Sequence, residues 1–450
     1  MDRREHEAVT AGIDESVRGA GRGDHDVAGL TFHVRLVDEE RPSAGMDHED
    51  LFIWMAVPVR TVPGWNVDQD QRQFSAVVVA NEIAGLLAAR QVMRVGKEFH
   101  TRHCNRQRTG GACVRMSRMT ESVAGRQIVV STVDYHTAGE PFRIVSGGVP
   151  PLRGRTIMEK RRYALEHLDH IRQLLVFEPR GHADMYGGFV ADPDDEGAQL
   201  GVVFFHNEGY STACGHGTIA LVTWAIDAGL LKARAPFTEV VVDVPSGRLL
   251  TVATLEAGRV RSVRFRNVPS FVLIDDVMVA IAGHRVDVAV AYGGAFYAIV
   301  PAESFEIPIE PAFVPRFIDL GREIKASIEA KHKVVHPLNP ELEGIYGVMF
   351  TAGYRNVTVF ADGEVDRSPC GSGTSARLAL LDRRGELARG STLMHESVIG
   401  GRFAARVVGE DRVGDHPAVT TEIEGSAHLT GYHQFVLAAD DPIGTGFLIR

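Results

Sequence analysis

Apolar residues of the chain from 127 onward fall into several short runs with the length and content of β-strands. The first such run is 127–133, and 239–255 predicts a hairpin that turns at its central Ser-Gly pair. The run 287–300 has a glycine pair in its middle, which predicts a bend or a crossing between two halves of the protein. The segment 427–442 predicts strands separated by Gly431.

Two other segments repeat their apolar residues with the period of an amphipathic helix. They are 158–175 and 315–331. In the first of them the apolar stripe consists of Leu165, Leu168, Ile171, Leu174 and Leu175. Because strand and helix periods alternate along the chain, the sequence predicts a mixed α/β fold.

The N-terminal quarter of the chain does not follow this pattern. Residues 1–115 mix charged stretches with isolated apolar runs, and within them only 75–90 predicts a helix. Met116 and Met119 stand just before the first predicted strand. We therefore expect residues 1–115 to be either upstream of a natural start at one of these methionines or a disordered extension, and we place the boundary of this N-terminal extension at residue 125. A regulatory domain is the alternative.

One eight-residue phrase occurs twice in the chain. It reads ACGHGTIA at 213–220 and PCGSGTSA at 369–376, and each copy follows strand-like sequence and precedes a helix-like run. A sequence repeat indicates that the fold contains a repeated structural unit. The repeated strand–turn–helix unit predicts two α/β lobes related by a pseudo-two-fold axis.

The repeated phrase carries a specific chemistry. Glycines let the backbone approach a ligand closely, and a helix that starts there points unpaired N–H groups at an anion such as a carboxylate. A cysteine at a helix start is expected to have a lowered thiol pKa. Two such units face to face would place Cys214 and Cys370 on opposite faces of one carbon, where they can remove and return a proton. The alternative, two buried cysteines at tight helix starts, does not explain the repeat.

Composition and charge exclude several classes of protein. Hydrophobic residues make up 44% of the chain and charged residues 24%, as in ordinary globular proteins. The net charge of −10 argues against a nucleic-acid partner. No apolar run is long enough to span a bilayer and no signal peptide is recognisable, so a cytoplasmic location is expected. The remaining cysteines, Cys104 and Cys113, lack zinc-ligand spacing and are expected to be free thiols.

Cofactor motifs are absent from the sequence. A dinucleotide site needs the motif Gly-x-Gly-x-x-Gly directly after a strand and an acidic residue further along the chain. The sequence has no such combination. No lysine lies near either repeat, which argues against a pyridoxal phosphate Schiff base. The sequence therefore predicts an enzyme that uses neither a cofactor nor a metal. Its expected partner is a small-molecule substrate, and a homodimer stays open.

Several motifs together resemble the proline racemase family, which includes 4-hydroxyproline epimerases and trans-3-hydroxy-L-proline dehydratases and shares its fold with diaminopimelate epimerase. The resemblance extends from about residue 126 to the C-terminus. The motifs that carry it are VDYHTAGEPFRIV (133–145), EKRRY (159–163), EPRGHADMYG (178–187), NEGYSTACGHGT (207–218), AYGGAFY (291–297) and DRSPCGSGT (366–374).

The resemblance implies a particular arrangement of the lobes. Each lobe would wrap a sheet around a central helix, and the C-terminal tail would return to the first lobe. We place lobe one at 126–290 plus 431–450, with Cys214, and lobe two at 291–430, with Cys370. The active site would lie in the cleft between them.

The resemblance also assigns roles in substrate binding. Asp366 matches the family position that holds the substrate ammonium group. Residues that would bind the substrate carboxylate or orient the substrate are Gly215, His216, Gly371 and Ser372. His136 and Thr137 either line the cleft or belong to a structural loop.

The sequence is compatible with four functions. The favoured one is a cofactor-independent racemase or 2-epimerase of proline or hydroxyproline, because inversion needs a proton-transfer group on each face of Cα. The alternative is a trans-3-hydroxy-L-proline dehydratase, the branch that the chain resembles most over its length. Members of that branch generally carry threonine where this chain has Cys370. A catalytically idle binding protein and a diaminopimelate epimerase are the other two readings; the latter lacks an evident arginine clamp for a second carboxylate.

Overall fold

The computed structural model describes Gly29–Thr31, Ala56–Pro58 and residues 127–449. The first two segments, β1 and β2, pair as antiparallel strands. Predictions that lie outside the described residues are the helix at 75–90, the free thiols Cys104 and Cys113, the start at Met116 or Met119 and the nature of 1–125 as a whole.

The strands that follow alternate with helices along the chain. They are β3 (Ile128–Thr137), β4 (Glu140–Gly147), β5 (Tyr186–Ala191), β6 (Leu200–His206), β7 (Phe237–Val244), β8 (Gly247–Glu256), β9 (Arg259–Arg266), β10 (Ser270–Ile281), β11 (His284–Tyr292), β12 (Phe296–Pro301), β13 (Val335–His336), β14 (Asn339–Glu343), β15 (Ile345–Ala352), β16 (Arg355–Phe360), β17 (Glu364–Asp366), β18 (Leu393–Glu396), β19 (Arg402–Val413), β20 (His416–Gly425) and β21 (Ala427–Leu437). The helices are α1 (Ile157–His167), α2 (Asp169–Val176), α3 (Gly215–Asp227), α4 (Val314–Glu329) and α5 (Gly371–Arg383), with short 3₁₀ turns at Ala302–Phe305 and Pro311–Phe313.

Strand pairing organises these elements into two lobes. In the first lobe, β21 pairs with β3, and pairing continues in chain order from β3 to β9. In the second lobe, β10, β11, β12, β15, β16, β18, β19 and β20 pair in that order, and β20 also pairs with β10 to close a ring. The C-terminal end of β20 pairs with β9, so the two lobes share one continuous sheet.

Each lobe surrounds one helix. Helix α3 packs against β3, β4, β8, β9 and β21, and α5 packs against β10, β11, β12, β19 and β20. All residues from Gly215 to Ile226 are buried, as are those from Gly371 to Leu380. The predicted fold of two pseudo-symmetric lobes, each a sheet around a central helix, is confirmed, and the tail returns to the first lobe as β21.

The sequence of strand β6 is apolar at successive positions, without the usual alternation, because both faces of the strand are covered. Val202 and Phe204 belong to the core around α3, while Val203 and Phe205 belong to a second core beneath α1 and α2. Since successive side chains of a strand point to opposite faces, a strand covered on both sides must be apolar throughout. Helix α4 covers the second lobe similarly, against β15 and β16.

Three local predictions need correction. The helix predicted at 158–175 is interrupted at Leu168, and Leu165 of the predicted buried stripe is 53% exposed. The glycine pair within 287–300 forms the hairpin turn between β11 and β12, so the predicted bend is confirmed, whereas the alternative of a crossing between lobes is wrong. Within 427–442 the structure has one strand, Ala427–Leu437, with a bulge next to Gly431 in place of separate strands.

The strand pairing also bears on the boundary predicted after residue 290. Strands β10 and β11 pair with each other, β11 pairs with β12, and both contact α5. This hairpin therefore lies with the second lobe, and the change of lobe falls between β9 and β10. The position of the lobe boundary depends on hydrogen bonds between strands that are distant in sequence, and no local sequence pattern indicates it.

Candidate active site

The N-termini of the two central helices touch each other. A methyl group built on Gly215 would lie 2.6 Å from Cα of Gly371, and one built on Gly371 would lie 2.7 Å from Cα of Gly215. Both positions also face Phe265. Real Cβ atoms do not approach other atoms so closely, so this contact requires glycine in both copies of the repeat. Through it the two cysteines, one residue earlier, are brought to one place.

Cys214 is the N-cap residue of α3. Its Sγ accepts a hydrogen bond from the Gly217 N–H at 3.2 Å and lies 3.5 Å from each ring nitrogen of His216. The hydroxyl of Thr137 donates to the carbonyl oxygen of His216 at 3.0 Å, which ties β3 to this turn. His136 instead lies beside His428 on β21, with ring centroids 5.2 Å apart. Thr137 thus supports the site from behind.

Cys370 is the N-cap residue of α5, but its backbone differs. Its φ is +64°, a value that side-chain-bearing residues rarely adopt, whereas φ at Cys214 is −152°. The Cys370 N–H donates to Ser368 Oγ at 3.1 Å. The thiol lies 3.5 Å from the hydroxyl of Tyr297, which also lies 2.7 Å from Ser372 Oγ. The two thiols therefore have different surroundings despite the repeated sequence.

The first turn of each helix can hold an anion. The N–H groups of Gly215, His216, Gly371 and Ser372 lie where the helix itself supplies no carbonyl partner. Because the helix ends meet, donors of both lobes converge on one small region, where the partial positive charges of both helix dipoles add. A carboxylate is the substrate group that fits such a position.

Asp366 lies at the end of β17 and is buried, and its carboxylate accepts the Ser368 N–H at 2.8 Å. Burial raises the pKa of Asp366 to about 6, although the hydrogen bonds from Ser368 oppose the shift. Glu140 lies nearby and accepts the Arg367 N–H at 2.6 Å, while its other oxygen has no partner among the described residues. Burial, together with the charge of Asp366, raises the pKa of Glu140 well above its usual range.

The expectation of lowered thiol pKa values is wrong. Burial raises the pKa of Cys214 well above its usual range, and the Gly217 N–H only partly opposes this effect. Burial likewise raises the pKa of Cys370, and the charge of Asp366 adds to it. Burial lowers the pKa of His216 to about 3, so its imidazole is neutral and cannot stabilise a thiolate by charge. Desolvation outweighs the helix dipole here because both thiols are only 5% exposed.

An aromatic wall from both lobes lies beside His216 and the Cys370 thiol, and sequence reasoning missed it. It consists of Tyr186, Tyr297, Tyr346 and Phe360. Tyr186 packs on His216 with ring centroids 4.9 Å apart and on Phe360 at 5.9 Å. Its hydroxyl lies 3.1 Å from that of Tyr346. Behind the wall, His206 pairs with Glu364 at 2.8 Å across the lobes. Tyr186 stands in the EPRGHADMYG motif, so its motif was visible, but nothing in the sequence indicated its neighbours.

One cavity lies away from the thiols. It has a volume of about 600 Å³ at the C-terminal end of α5, lined among others by Asp275, Asp287, Arg377 and Arg384. It shares no residue with the converging helix N-termini. The candidate active site is therefore assigned by its chemistry and not by cavity size.

Two negative findings concern the described residues alone. Among residues 127–449 and the two short N-terminal strands, no group of three or more His, Cys, Asp or Glu side chains is arranged to hold a metal ion. Within the same part of the chain, no helix has the length and apolar character needed to cross a membrane.

Known proteins match most of this chain. The proline racemase family model covers residues 132–448. Trans-3-hydroxy-L-proline dehydratase of Burkholderia ambifaria is 47% identical over 329 residues, 71% of this chain and 98% of that protein. The Bacillus cereus protein of the same name is 43% identical over 328 residues with the same coverage. The 3-hydroxyproline 2-epimerase of Burkholderia multivorans is 46% identical over 329 residues, again 71% and 98%.

Two crystal structures have the same fold. A hydroxyproline epimerase from Agrobacterium vitis, with bound trans-4-hydroxy-L-proline, superposes with a TM-score of 0.68 at 31% identity, covering 72% of this chain and 96% of that one. A probable proline racemase from Agrobacterium radiobacter, with bound carbonate, gives a TM-score of 0.68 at 30% identity, covering 71% and 96%.

Proposed function

Because the chain belongs to the proline racemase family, we propose that it is a cofactor-independent 2-epimerase of hydroxyproline, with 3-hydroxyproline as its substrate. The observation that carries this proposal is the contact between Gly215 and Gly371, which supports a shared anion site with a cysteine of each lobe beside it. The 3-hydroxyl is favoured because relatives at 43–47% identity are named after 3-hydroxyproline.

Substrate binding would prepare the thiols for proton transfer. The carboxylate would accept the N–H groups of the first helical turns, and the ammonium group would pair with Asp366. The charge of Asp366 contributes to the raised pKa of both Cys214 and Cys370. Neutralising it with an ammonium group, next to two helix N-termini, would lower the cost of forming one thiolate.

The reaction then needs two balanced proton transfers. One thiolate removes the Cα proton, and the electron pair left on Cα delocalises into the carboxylate held by the N–H groups. The opposite thiol delivers its proton to the other face of Cα and becomes the thiolate. The product has inverted configuration, and the reverse reaction exchanges the roles of Cys214 and Cys370.

Dehydration of trans-3-hydroxy-L-proline is a second candidate for the same site. It is favoured by the names of the relatives from Burkholderia ambifaria and Bacillus cereus. In this reaction one thiolate removes the Cα proton, and the electron pair forms a double bond as the 3-hydroxyl leaves. No acid is needed on the opposite face. The presence of Cys370 at that face favours epimerisation as the main reaction.

Incubation in D2O separates the two reactions. The substrates are L-proline, trans-4-hydroxy-L-proline and trans-3-hydroxy-L-proline, followed by NMR and chiral chromatography. We expect Cα deuterium in an inverted 3-hydroxyproline product. A cyclic imine or enamine as the main product would assign dehydration instead, and no Cα exchange with any of the three would contradict the proposed function.

Serine at position 214 should stop inversion. We expect Cys214→Ser to lower kcat for epimerisation at least about 10³-fold, because an alcohol is a far weaker acid than a thiol and general acid–base catalysis contributes up to about 10⁴-fold. The measurement is kcat in both directions of the reaction. Ser211, buried close to the site, offers a control as Ser211→Ala, which removes a hydroxyl but no proton-transfer group. A Cys214→Ser variant with kcat near that of the wild type would overturn the two-thiol mechanism.

The pH profile should have an acid limb set by Asp366. Since burial raises its pKa to about 6, the carboxyl is neutral below that pH and charged above it. Only the charged form can pair with the ammonium group, so kcat/KM is expected to fall about tenfold per pH unit below about 6. The Asp366→Asn variant should have lower kcat/KM and no such limb. An identical limb in both proteins would assign the titration to another group.

A further inference from the structure

Tyr346 links the surroundings of the two thiols. Its hydroxyl lies 3.1 Å from that of Tyr186, and its ring centroid lies 5.9 Å from that of Tyr297. Tyr186 packs on His216, the neighbour of the first thiol, and Tyr297 contacts Cys370 directly. Tyr346 therefore lies on the aromatic wall between the two positions from which protons would be transferred.

The hydroxyl of Tyr346 has hydrogen-bonding capacity left over. Among the described residues, Tyr186 is its hydrogen-bond partner, and Tyr346 is partly exposed. The buried hydroxyl of Tyr186 contacts Ser211 as well as Tyr346, and that of Tyr297 is held by Ser372 and by the second thiol. A phenol can donate one hydrogen bond and accept two, so Tyr346 can still bind a ligand.

The residues packed against Tyr346 are apolar or more deeply buried. Phe360 is apolar and stacks on Tyr346 with ring centroids 5.6 Å apart. His206 is buried, and its Nδ1 already lies 2.8 Å from Oε1 of Glu364, which also accepts the Glu208 N–H at 3.1 Å. Among the described residues of the wall, Tyr346 is thus a partly exposed tyrosine whose hydroxyl has hydrogen-bonding capacity left.

We propose that the Tyr346 hydroxyl recognises the hydroxyl group on the pyrrolidine ring of the substrate. With the carboxylate at the helix N-termini and Cα between the thiols, a ring that extends past the Cys370 thiol meets Tyr297, 3.5 Å from that thiol, and then Tyr346. A ring hydroxyl both donates and accepts, so it matches either orientation of the Tyr346 proton. The inference rests on the proposed function, and it makes Tyr346 the residue that distinguishes hydroxyprolines from proline.

Tyr346→Phe tests this role because it removes only the hydroxyl. We expect the ratio of kcat/KM for trans-3-hydroxy-L-proline to that for L-proline to fall about tenfold, mainly through KM, the size expected for one lost hydrogen bond. The control is Tyr354→Phe, at a tyrosine that is 59% exposed, where the ratio should not change. Thermal unfolding of both variants establishes that they fold. An unchanged ratio in a folded Tyr346→Phe protein overturns the inference.

Direct binding separates failure of this inference from failure of the proposed function. Calorimetry would measure Kd for L-proline and trans-3-hydroxy-L-proline with the wild type and with Tyr346→Phe. If the wild type exchanges no Cα proton but prefers the hydroxylated ligand, and the variant loses that preference, the inference holds while the proposed function fails. If the wild type binds both ligands equally or binds neither, Tyr346 does not read the ring hydroxyl and the inference fails.

Discussion

Replacing Cys370 with threonine should abolish inversion at Cα while preserving removal of the Cα proton by Cys214. A threonine hydroxyl cannot supply a proton at a useful pKa, so epimerisation is expected to fall at least about 10³-fold. The N–H groups of Gly371 and Ser372 are unchanged, so the carboxylate stays bound. With a leaving group on the adjacent carbon, the carbanion can expel the 3-hydroxyl instead of waiting for a proton. Dehydration of trans-3-hydroxy-L-proline should therefore be kept or increased.

The backbone at Cys370 adds a cost that the sequence did not reveal. With φ at +64°, the cysteine itself is strained, and a β-branched side chain is strained further at this position, so Cys370→Thr should have a lower melting temperature than the wild type. Cys370→Ser is the matched control, because serine also lacks the thiol but is not branched at Cβ. The two variants should have the same loss of epimerisation and differ in melting temperature.

The reciprocal variant tests the assignment of the base. Cys214→Thr should lose both epimerisation and dehydration of the L-substrate if Cys214 removes its Cα proton. Rates for both reactions would be measured side by side in the two threonine variants by NMR. If Cys370→Thr folds and binds substrate but loses dehydration along with epimerisation, Cys370 does more than donate a proton to one face.

Alanine at Gly371 should disrupt the site without removing any reacting group. The added methyl would lie 2.7 Å from Cα of Gly215 and 3.2 Å from Phe265, so the two helix ends must separate. Displacing reacting groups by about 1 Å can cost about 10²-fold in rate, and forcing an extra methyl into a packed contact costs about 1–3 kcal/mol. We expect kcat/KM to fall at least about 10²-fold, with a lower melting temperature.

Gly147 supplies the comparison for this variant. Its φ is not positive, and a methyl there would meet the Ser131 side chain at 3.9 Å, an ordinary contact. Gly147→Ala should therefore leave kcat/KM near the wild-type value. Wild-type activity in Gly371→Ala would mean that the helix ends need not touch for the two thiols to act on one carbon.

Much of the fold could be predicted from the sequence because the patterns that indicate it lie within short segments of the chain. The repeated Cys-Gly-x-Gly-Thr phrase correctly placed the starts of α3 and α5, since a cysteine cap and unpaired N–H groups belong to a single turn. The apolar period correctly predicted α4, and the Ser-Gly pair correctly placed the hairpin of β7 and β8. The resemblance to the family supplied the pairing of the tail with the first lobe.

What the tertiary structure decided depends on residues far apart in the chain. The cysteines of the two lobes are neighbours in space because Gly215 and Gly371, one residue further on, pack against each other. Their pKa values are raised, against the expectation from a helix start, because burial within two lobes removes water from both. Tyr346 gains its position from pairing of β15 with strands far from Cys214 in sequence. Sequence patterns fix the local conformation of a segment, whereas desolvation and contacts between segments arise only once the chain has folded.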